Sequence, residues 1–195
     1  MQLVFATNNL NKLKEVQTLI PSNIKLLSLK DIGCFEDIPE TQNTIEGNAI
    51  QKAEYVKVHY GFDCFADDTG LEVDELNGAP GVYSARYAGN QRDSNDNMNK
   101  LLSDLSDKKN RNAQFKTVIA LHLNNNLQSF TGICKGKITE IKHGQKGFGY
   151  DPIFKPDTFN MTFAEMSLSL KNEIGHRGKA IKKLVEFLNS LEPKI

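Results

Sequence analysis

The stretch FADDTGL, residues 65–71, places Asp67 and Asp68 side by side directly after an apolar run. The residues FDCFA, 62–66, predict a buried strand, so the two acids stand at its end. Neighbouring carboxylates raise each other's pKa unless a cation neutralises them. Mg²⁺ is the obvious cation, since it prefers oxygen ligands and often joins carboxylates to substrate phosphates. The alternative is an Asx-turn near Gly70, but the apolar approach favours a functional site.

Helices and strands alternate along the chain outward from this stretch. A run at 3–6 predicts a first strand, and Leu13, Val16 and Ile20 then recur at helical spacing until Pro21. The remaining predicted elements are a strand at 24–29, helices over 44–60 and 95–105, a hairpin over 115–134 that continues as strand through 135–141, and a last helix from about residue 179. This order predicts an α/β fold with a mixed central sheet.

Bulk composition limits the classes of function. The 195 residues predict one domain, 1–195, and the 24 basic and 24 acidic side chains give no net charge. Zero net charge argues against bulk capture of nucleic acid or an anionic membrane, but a small phosphorylated ligand needs only a local positive cluster. The three cysteines form no CxxC, and the start of the chain does not resemble a signal peptide. No apolar run approaches the roughly 20 residues of a membrane span, so we expect a cytoplasmic protein.

The polar loop after the first strand is a candidate anion site. Thr7, Asn8 and Asn9 lead into a helix whose free N–H groups and dipole favour negative charge. Lys12 adds a positive charge that the dipole disfavours, which makes sense if a phosphate binds there. In the alternative interpretation, Thr7 and the asparagines only cap the helix and Lys12 is solvated. The segment does not match the GxxxxGK[ST] pattern of a P-loop.

The segment GFGYDP, 147–152, is a candidate pocket for a nucleobase. Its glycines allow close approach of the backbone, and Phe148 or Tyr150 offers a ring face on which a base could stack. Asp151 could accept a hydrogen bond from a ring N–H. The alternative is an ordinary loop ahead of the next strand.

The segment LKNEIGHRGKAIKK, 170–183, collects basic residues around a predicted helix start. Lys171, His176 and Arg177 lie where the helix dipole disfavours positive charge, and glycines flank the His-Arg pair. Such donors suit an oxo group or a phosphate. The four segments together describe a site for a Mg²⁺-nucleotide. Because GxSxG and HExxH are both missing from the sequence, acyl transfer and zinc proteolysis are disfavoured.

The ordered set of motifs resembles the inosine/xanthosine triphosphate pyrophosphatase family, the Ham-type dITP/XTP pyrophosphatases, in its bacterial branch. The matching stretches are FATNNLNKLKE (5–15), IPETQNTIEGNAIQKA (38–53), ADDTGLEVDELNGAPGVYSARYAG (66–89), GFGYDPIF (147–154) and LKNEIGHRGKA (170–180). The resemblance covers about residues 3–188. It implies a mixed central sheet flanked by helices, with two lobes around a deep cleft, and a homodimer.

The resemblance also assigns roles to individual residues. The metal ligands fall on Glu40 and Asp68, and Asp68 is also the proposed general base. Lys12 and Lys52 face the phosphates. The substrate-binding positions fall on Thr7, Asn8, Asn9, Lys12, Thr69, Phe148, Gly149, Tyr150, Asp151, Lys171, His176 and Arg177. Thr69 stands where the family has a serine, and Asn8 where it commonly has a glycine.

The implied reaction is the Mg²⁺-dependent hydrolysis of XTP, dITP or ITP to the monophosphate and pyrophosphate. A 6-oxo purine presents an acceptor to His176 or Arg177, whereas adenine presents an amine, and an unpaired buried donor costs roughly 1–3 kcal/mol. Two alternatives stay open. One is a Maf-type nucleotide pyrophosphatase, and the other is a non-catalytic nucleotide-binding regulator. Neither nucleic acid nor a membrane is expected as a partner.

Overall fold

Strands and helices alternate along residues 1–191, the part of the chain that the computed structural model describes. The strands are β1 (Gln2–Phe5), β2 (Lys25–Leu27), β3 (Cys64–Val73), β4 (Pro80–Gly81), β5 (Asn112–Leu123), β6 (Asn126–Ile138) and β7 (Phe154–Pro156). The α-helices are α1 (Leu10–Gln17), α2 (Ile45–Tyr60), α3 (Ser94–Asp104), α4 (Leu168–Ile174) and α5 (His176–Ser190). The expected α/β fold is confirmed. The expected domain extends to residue 195, and its last four residues lie outside the described part.

The strands form one mixed sheet in the order β2-β1-β3-β5-β6-β7, with β4 paired to β3. The strand β1 runs parallel to both β2 and β3, whereas β4 is antiparallel to β3 and β7 is antiparallel to β6. Val4 pairs with Cys64 and Phe5 pairs with Phe65. The loop after β1 and the acidic pair within β3 therefore both follow this register pair, beyond the carboxyl end of β1.

Contacts divide the chain into two compact units. The first unit comprises Met1–Asp68, Thr117–Gly132 and residues 176–191. Its buried core joins side chains of β1, β3 and β5 to the apolar face of α5: Leu3, Phe5, Phe65, Ile119, Leu121, Ala180, Ile181, Leu184 and Leu188. The strand β6 passes close to α5 at Gly132, where a Cβ atom would lie 2.0 Å from the carbonyl oxygen of His176.

The second unit comprises Thr69–Lys116 and Ile133–Gly175. Its core contains three aromatic rings, and the ring centroids of Phe115 and Phe154 lie 4.7 Å apart, while those of Phe154 and Phe163 lie 5.1 Å apart. Aliphatic side chains of β3, of α3 and of the residue that follows α3 belong to the same core, including Leu71, Val73, Leu101 and Leu105. Each unit thus buries its own apolar cluster.

The helix α2 confirms its predicted extent and shows why it ends where it does. The Thr44 hydroxyl accepts a hydrogen bond from the Gly47 amide at 2.9 Å, and this cap satisfies a free donor of the first turn. Gly61 closes the helix in the left-handed region with φ 75°, which glycine adopts without steric cost. The predicted hairpin is also confirmed. Asn124 and Asn125 form its turn with φ 48° and 62°, a conformation that asparagine tolerates.

The prediction for the end of β3 was wrong. The strand was expected to stop before Asp67, but it begins at Cys64 and continues through both acids and Gly70 to Val73. Extended backbone therefore replaces the alternative Asx-turn. A strand can carry two buried carboxylates because cationic side chains from other elements neutralise them, and local sequence does not reveal those partners.

The last helix also begins earlier than predicted. The helix α5 starts at His176 rather than near Lys179, and a separate short helix, α4, carries Lys171. Predicted strand residues beyond Ile138 are not part of β6, which ends there. Within residues 1–191, no helix is long and apolar enough to cross a membrane.

Candidate active site

Side chains of the loop before α1 cap the start of this helix. Asn9 Oδ1 accepts hydrogen bonds from the amides of Asn11 and Lys12 at 3.0 and 3.2 Å, so Asn9 caps the helix. The Thr7 hydroxyl accepts from the Asn9 amide at 3.2 Å. Asn8 donates from its side chain to Asp37 at 3.4 Å. The capping interpretation of this loop therefore holds for Asn9. The Lys12 side chain is not solvated as that interpretation expected, because it contacts Asp67.

A chain of buried charges surrounds Asp67. Its Oδ1 lies 2.9 Å from Lys12 Nζ, and its Oδ2 accepts from Arg177 Nε at 3.1 Å. Arg177 also pairs with the carboxylate of Glu15 through Nη1. The side chains of Asp67, Arg177 and Glu15 are 1%, 3% and 6% exposed, so these charges are held away from water and against each other.

The electrostatics of this group favour the charged form of Asp67. Burial by itself would raise the pKa of the Asp67 carboxyl, but the charges of Lys12 and Arg177 outweigh burial and hold the pKa below its usual value. Burial, together with the nearby charges of Lys52 and Arg177, lowers the pKa of the Lys12 ammonium, although Asp67 opposes the shift. At neutral pH Asp67 is a fixed anion that orients two cations.

Asp68 contacts different residues from Asp67, and these residues belong to α2. Asn48 Nδ2 donates to Asp68 Oδ2 at 3.2 Å, and Lys52 Nζ lies 3.7 Å from Asp68 Oδ1, beyond hydrogen-bond length. Asn48 and Lys52 stand one helical turn apart, which puts both on the same side of α2. Lys52 Nζ also contacts the carboxylate of Glu40. Glu40 and Asp68, the two predicted metal ligands, therefore share one ammonium group.

Burial raises the pKa of the Asp68 carboxyl, and the opposing charges of Lys52 and Lys12 do not cancel the effect. For Lys52, burial alone would lower the ammonium pKa, but the charges of Asp68 and Glu40 outweigh it and the pKa is raised. The pKa values of these two neighbouring carboxyls are thus shifted in opposite directions. Asp67 is held as an anion by two close cations, whereas Asp68 is a more basic carboxylate.

The carboxylates of Glu40 and Asp68 suit a magnesium ion. Within residues 1–191, no three His, Cys, Asp or Glu side chains are grouped as a metal site. Mg²⁺ is commonly held by one or two carboxylates together with water and substrate phosphates, and it needs no larger protein cage. Two carboxylates that already share a cation, Lys52, match that kind of donor set.

The second unit holds the predicted base-binding residues around the ion pair of Asp151 and Lys171. Lys171 Nζ lies 2.6 Å from Asp151 Oδ2, and the same oxygen accepts from the Phe148 amide at 2.8 Å. The ammonium group also lies 4.9 Å from the centre of the Phe148 ring. Gly147 makes this loop possible, because it has φ 75° and a Cβ atom there would lie 2.0 Å from Asp151 Oδ2.

The two aromatic candidates of this loop differ in what they contact. Tyr150 is 4% exposed, and its hydroxyl donates to the carbonyl oxygen of Ser84 at 2.9 Å. Burial, with a smaller effect of Tyr87, raises the pKa of the Tyr150 hydroxyl. Phe148 is half-buried and has no polar group to satisfy. Phe148 is therefore the ring better suited to stack on a base, and Gly149, with φ 63°, joins the two aromatic residues.

The predicted site residues thus fall into two groups. The first unit brings together Glu40, Lys12, Lys52, Asp68 and Arg177, and it also contains Thr7, Asn8, Asn9 and the buried His176. The second unit contains Thr69, Phe148, Gly149, Tyr150, Asp151 and Lys171. Sequence reasoning missed Glu15 and Asn48. Their spacing from Lys12 and Lys52 on the same helices was the available signal, but their burial was not visible in the sequence.

Comparison with known proteins gives consistent matches over nearly the whole chain. The model of the Ham1 family matches residues 3–187. A dITP/XTP pyrophosphatase of Flavobacterium johnsoniae is 64% identical over 97% of this chain and 99% of the relative, and one of Porphyromonas gingivalis is 48% identical over 96% and 97%. The solved Ham1 protein structures of Staphylococcus aureus and Coxiella burnetii both match with TM-score 0.90 and 37% identity. They cover 98% and 97% of this chain, and 100% and 99% of theirs.

Proposed function

The chain belongs to the Ham1 family, and we propose that it hydrolyses the deaminated purine nucleoside triphosphates XTP, dITP and ITP. The products are the nucleoside monophosphate and pyrophosphate, so the enzyme removes non-standard purines from the nucleotide pool. It is a hydrolase acting on a phosphorus-containing acid anhydride. Relatives that are named dITP/XTP pyrophosphatases and cover nearly the same length support this assignment.

One observation carries the catalytic part of the proposal: Asp67 contacts two cations directly, whereas Asp68 contacts an amide and lies near the Lys52 ammonium group that also contacts Glu40. Burial raises the pKa of the Asp68 carboxyl, which makes the carboxylate a better proton acceptor. Asp68 is the proposed general base for the attacking water. The pKa of the Asp67 carboxyl is lowered, so Asp67 stays charged and holds Lys12 in a fixed position. A carboxylate that accepts protons beside one that positions a cation matches the division of work that hydrolysis needs.

The two lysines act on the leaving group. Lys12 and Lys52 are directed by Asp67 and by the pair of Glu40 and Asp68, so their ammonium groups are oriented before substrate arrives. Preoriented cations stabilise charge that develops on the departing pyrophosphate. Mg²⁺ held by Glu40 and Asp68 supplies a Lewis acid for the phosphate oxygens when it is bound. Thr7, Asn8, Asn9 and Thr69 contribute further polar contacts to the phosphates and the sugar.

Aromatic, acidic and basic side chains bind the purine. Phe148 stacks on the base, and Asp151, fixed by Lys171, accepts from a ring N–H. His176 and Arg177 recognise the 6-oxo group. We expect the His176→Ala and Arg177→Ala variants to lose part of the preference for ITP over ATP. Full preference in both variants would contradict this assignment of base recognition.

The proposal also covers the oligomeric state, the compartment and the partners of the enzyme. The enzyme works as a homodimer in the cytoplasm, where three free cysteines suit a reducing compartment. Residues 1–195 act as one pyrophosphatase domain, a view supported by a family match that spans residues 3–187 and both units. The substrate is a nucleotide, and neither nucleic acid nor a membrane takes part.

A turnover assay with Mg²⁺ and a panel of nucleotides tests the proposal. We expect release of pyrophosphate from XTP, dITP and ITP at much higher kcat/KM than from ATP, GTP or UTP. Preference for pyrimidine nucleotides would instead favour a Maf-type pyrophosphatase. Tight nucleotide binding without turnover would favour a regulator. Measurement of each product separately distinguishes cleavage between the α and β phosphates from removal of the terminal phosphate.

A further inference from the structure

A cavity of about 470 Å³ lies in the second unit, and none of the predicted site residues contributes to its lining. The cavity is formed by residues 109–112, which lead into β5, by the end of β6 with the loop that follows, and by Lys155 of β7. Four basic side chains line it, and we call it the basic pocket: Lys109, Arg111, Lys137 and Lys155. Glu140 is the one carboxylate in the lining. Such an excess of positive charge is local, because the chain as a whole has no net charge.

Arg111 is fixed in the basic pocket by neutral acceptors. Its Nε donates to the carbonyl oxygen of Ile138 at 2.7 Å, Nη1 to that of Leu105 at 2.9 Å, and Nη2 to that of Thr139 at 2.8 Å. A guanidinium group has five N–H donors, so these bonds orient Arg111 without using all of its donors. Because the acceptors are carbonyls, they hold the side chain in place and leave its charge uncompensated.

Two of the three lysines of the basic pocket lie directly opposite each other in the sheet. Lys137 of β6 and Lys155 of β7 are register partners in an antiparallel pair. Directly opposed like charges destabilise a sheet. Among residues 1–191, neither lysine, nor Lys109, nor Arg111 forms an ion pair with a carboxylate. An anion bound between the lysines and Arg111 would relieve this repulsion.

The chemistry of the lining selects the kind of anion. Cations from three elements suit a ligand with several negative charges on more than one phosphoryl group. The lining contains no Phe, Tyr or Trp, so a nucleobase would find no aromatic ring on which to stack. The volume lies within the range of small-molecule sites. We propose that the basic pocket is a second site that binds free inorganic pyrophosphate.

The site goes beyond the proposed function, and its ligand is the product of that reaction. The pyrophosphoryl group could also reach the pocket as the phosphate tail of a nucleotide, which has the same charges. The lining favours the free anion over the nucleotide because it offers no aromatic ring on which a base could stack. Occupancy of the pocket would then follow the pyrophosphate concentration and not the identity of the purine.

The test is a titration of the full chain with sodium pyrophosphate, followed in ¹H–¹⁵N correlation spectra without Mg²⁺. We expect saturable shifts at the amides of Lys137 and Lys155 and at the Nε–H of Arg111. The Lys137→Gln/Lys155→Gln variant keeps most of each side chain and loses two charge-assisted contacts. Its apparent Kd for the pocket should therefore rise about tenfold or more.

The matched control is Lys135→Gln/Lys182→Gln, which removes the same charge from exposed positions outside the basic pocket. Its pocket Kd should equal that of the unchanged chain. The Lys12→Gln/Lys52→Gln variant separates this inference from the proposed function. It should lose the response of the catalytic residues and keep the response of the basic pocket.

Three results would overturn the proposal: no shifts at the pocket, equal shifts with sulfate at the same concentrations, or an unchanged pocket Kd in Lys137→Gln/Lys155→Gln. A non-hydrolysable ITP analogue tests the source of the pyrophosphoryl group. We expect it to bind the pocket more weakly than pyrophosphate, and tighter binding would contradict the assignment to the free anion. The nucleotide panel can succeed or fail independently of each of these outcomes.

Discussion

Asp67 and Asp68 are neighbours in β3, yet their surroundings are opposite in kind. Asp67 contacts Lys12 and Arg177 directly, whereas Asp68 contacts an amide and lies 3.7 Å from Lys52. Successive side chains of a strand point to opposite faces, so two adjacent acids meet different elements. The difference teaches that one strand can place a carboxylate held between two cations beside a carboxylate with fewer close charged contacts. Four predictions test whether this division is real.

The largest expected effect is on catalysis by Asp68. The change Asp68→Asn removes the proton acceptor and one metal ligand while keeping the shape of the side chain. We expect pyrophosphate release from ITP to fall by about 10²–10⁴-fold. Steady-state kinetics with purified protein measure it, and Asp74→Asn, at an exposed acid, is the matched control. Activity near that of the unchanged chain would remove Asp68 from its proposed role.

The next effect is on stability at Asp67. The change Asp67→Asn leaves the cations of Lys12 and Arg177 buried without their shared anion. Breaking a buried ion pair in this way should lower the free energy of unfolding by about 3 kcal/mol or more. Urea denaturation at pH 7 measures the change, with Asp74→Asn again as the control. If Asp67→Asn unfolds at the same urea concentration as the control, the structural role of Asp67 is wrong.

A smaller effect is expected one step farther from β3, at Glu15. The change Glu15→Gln removes a charged partner of Arg177 but keeps a hydrogen-bond acceptor and leaves Asp67 in place. The expected loss is about 2 kcal/mol of unfolding free energy. Glu54→Gln, at an exposed position of α2, serves as the control. A loss larger than that of Asp67→Asn would show that Glu15, and not Asp67, is the main anchor of Arg177.

The smallest effect is the dependence of stability on pH, and its sign differs between the two acids. The folded-state pKa of Asp67 is lowered, so its contribution is present above the unfolded value of about 3.9 and is lost as pH falls through the folded pKa. The folded-state pKa of Asp68 is raised, so its contribution is present below about pH 4 and is lost as pH rises through the folded pKa.

Thermal unfolding of the two asparagine variants measures this difference. At pH 7, we expect Asp67→Asn to have a lower Tm than the unchanged chain, and Asp68→Asn to have an equal or higher Tm. The Asp67→Asn difference should shrink as pH falls below about 4 toward the lowered folded pKa of Asp67. The Asp68→Asn difference should shrink at higher pH, as pH falls through the raised folded pKa of Asp68 toward about 4. Two variants with the same sign of change at pH 7 would contradict the comparison.

Most of the fold could be predicted from local sequence. The helix α2 has a Thr44 cap, a helical repeat of apolar residues and a closing Gly61, and all three signals act within the helix. The hairpin of β5 and β6 could likewise be predicted from its asparagine turn. The end of β3 could not be predicted, because two acids in sequence resemble a turn. The neutralising partners of Asp67, Lys12 and Arg177, lie 55 and 110 residues away along the chain.

The candidate site divides in the same way. The resemblance assigned Lys12, Lys52, Glu40 and Asp68 to one site. In the structure Lys52 joins Glu40 and Asp68, whereas Lys12 pairs with the neighbouring Asp67. The resemblance did not reveal the use of Tyr150 in a buried hydrogen bond to Ser84, which leaves Phe148 as the better ring for a base. Hydrogen bonds between distant residues depend on packing, and sequence spacing does not encode them.

The sequence by itself determined the α/β class, the positions of α2 and the hairpin, the set of chemical groups and the family to which they belong. These properties depend on local propensity, hydrophobic period and ordered motifs, which a linear chain displays directly. Only the tertiary structure decided that Asp67 is enclosed by two cations while Asp68 is left more basic. Burial and through-space charge set a pKa, and both arise only when residues distant in sequence pack around the same strand.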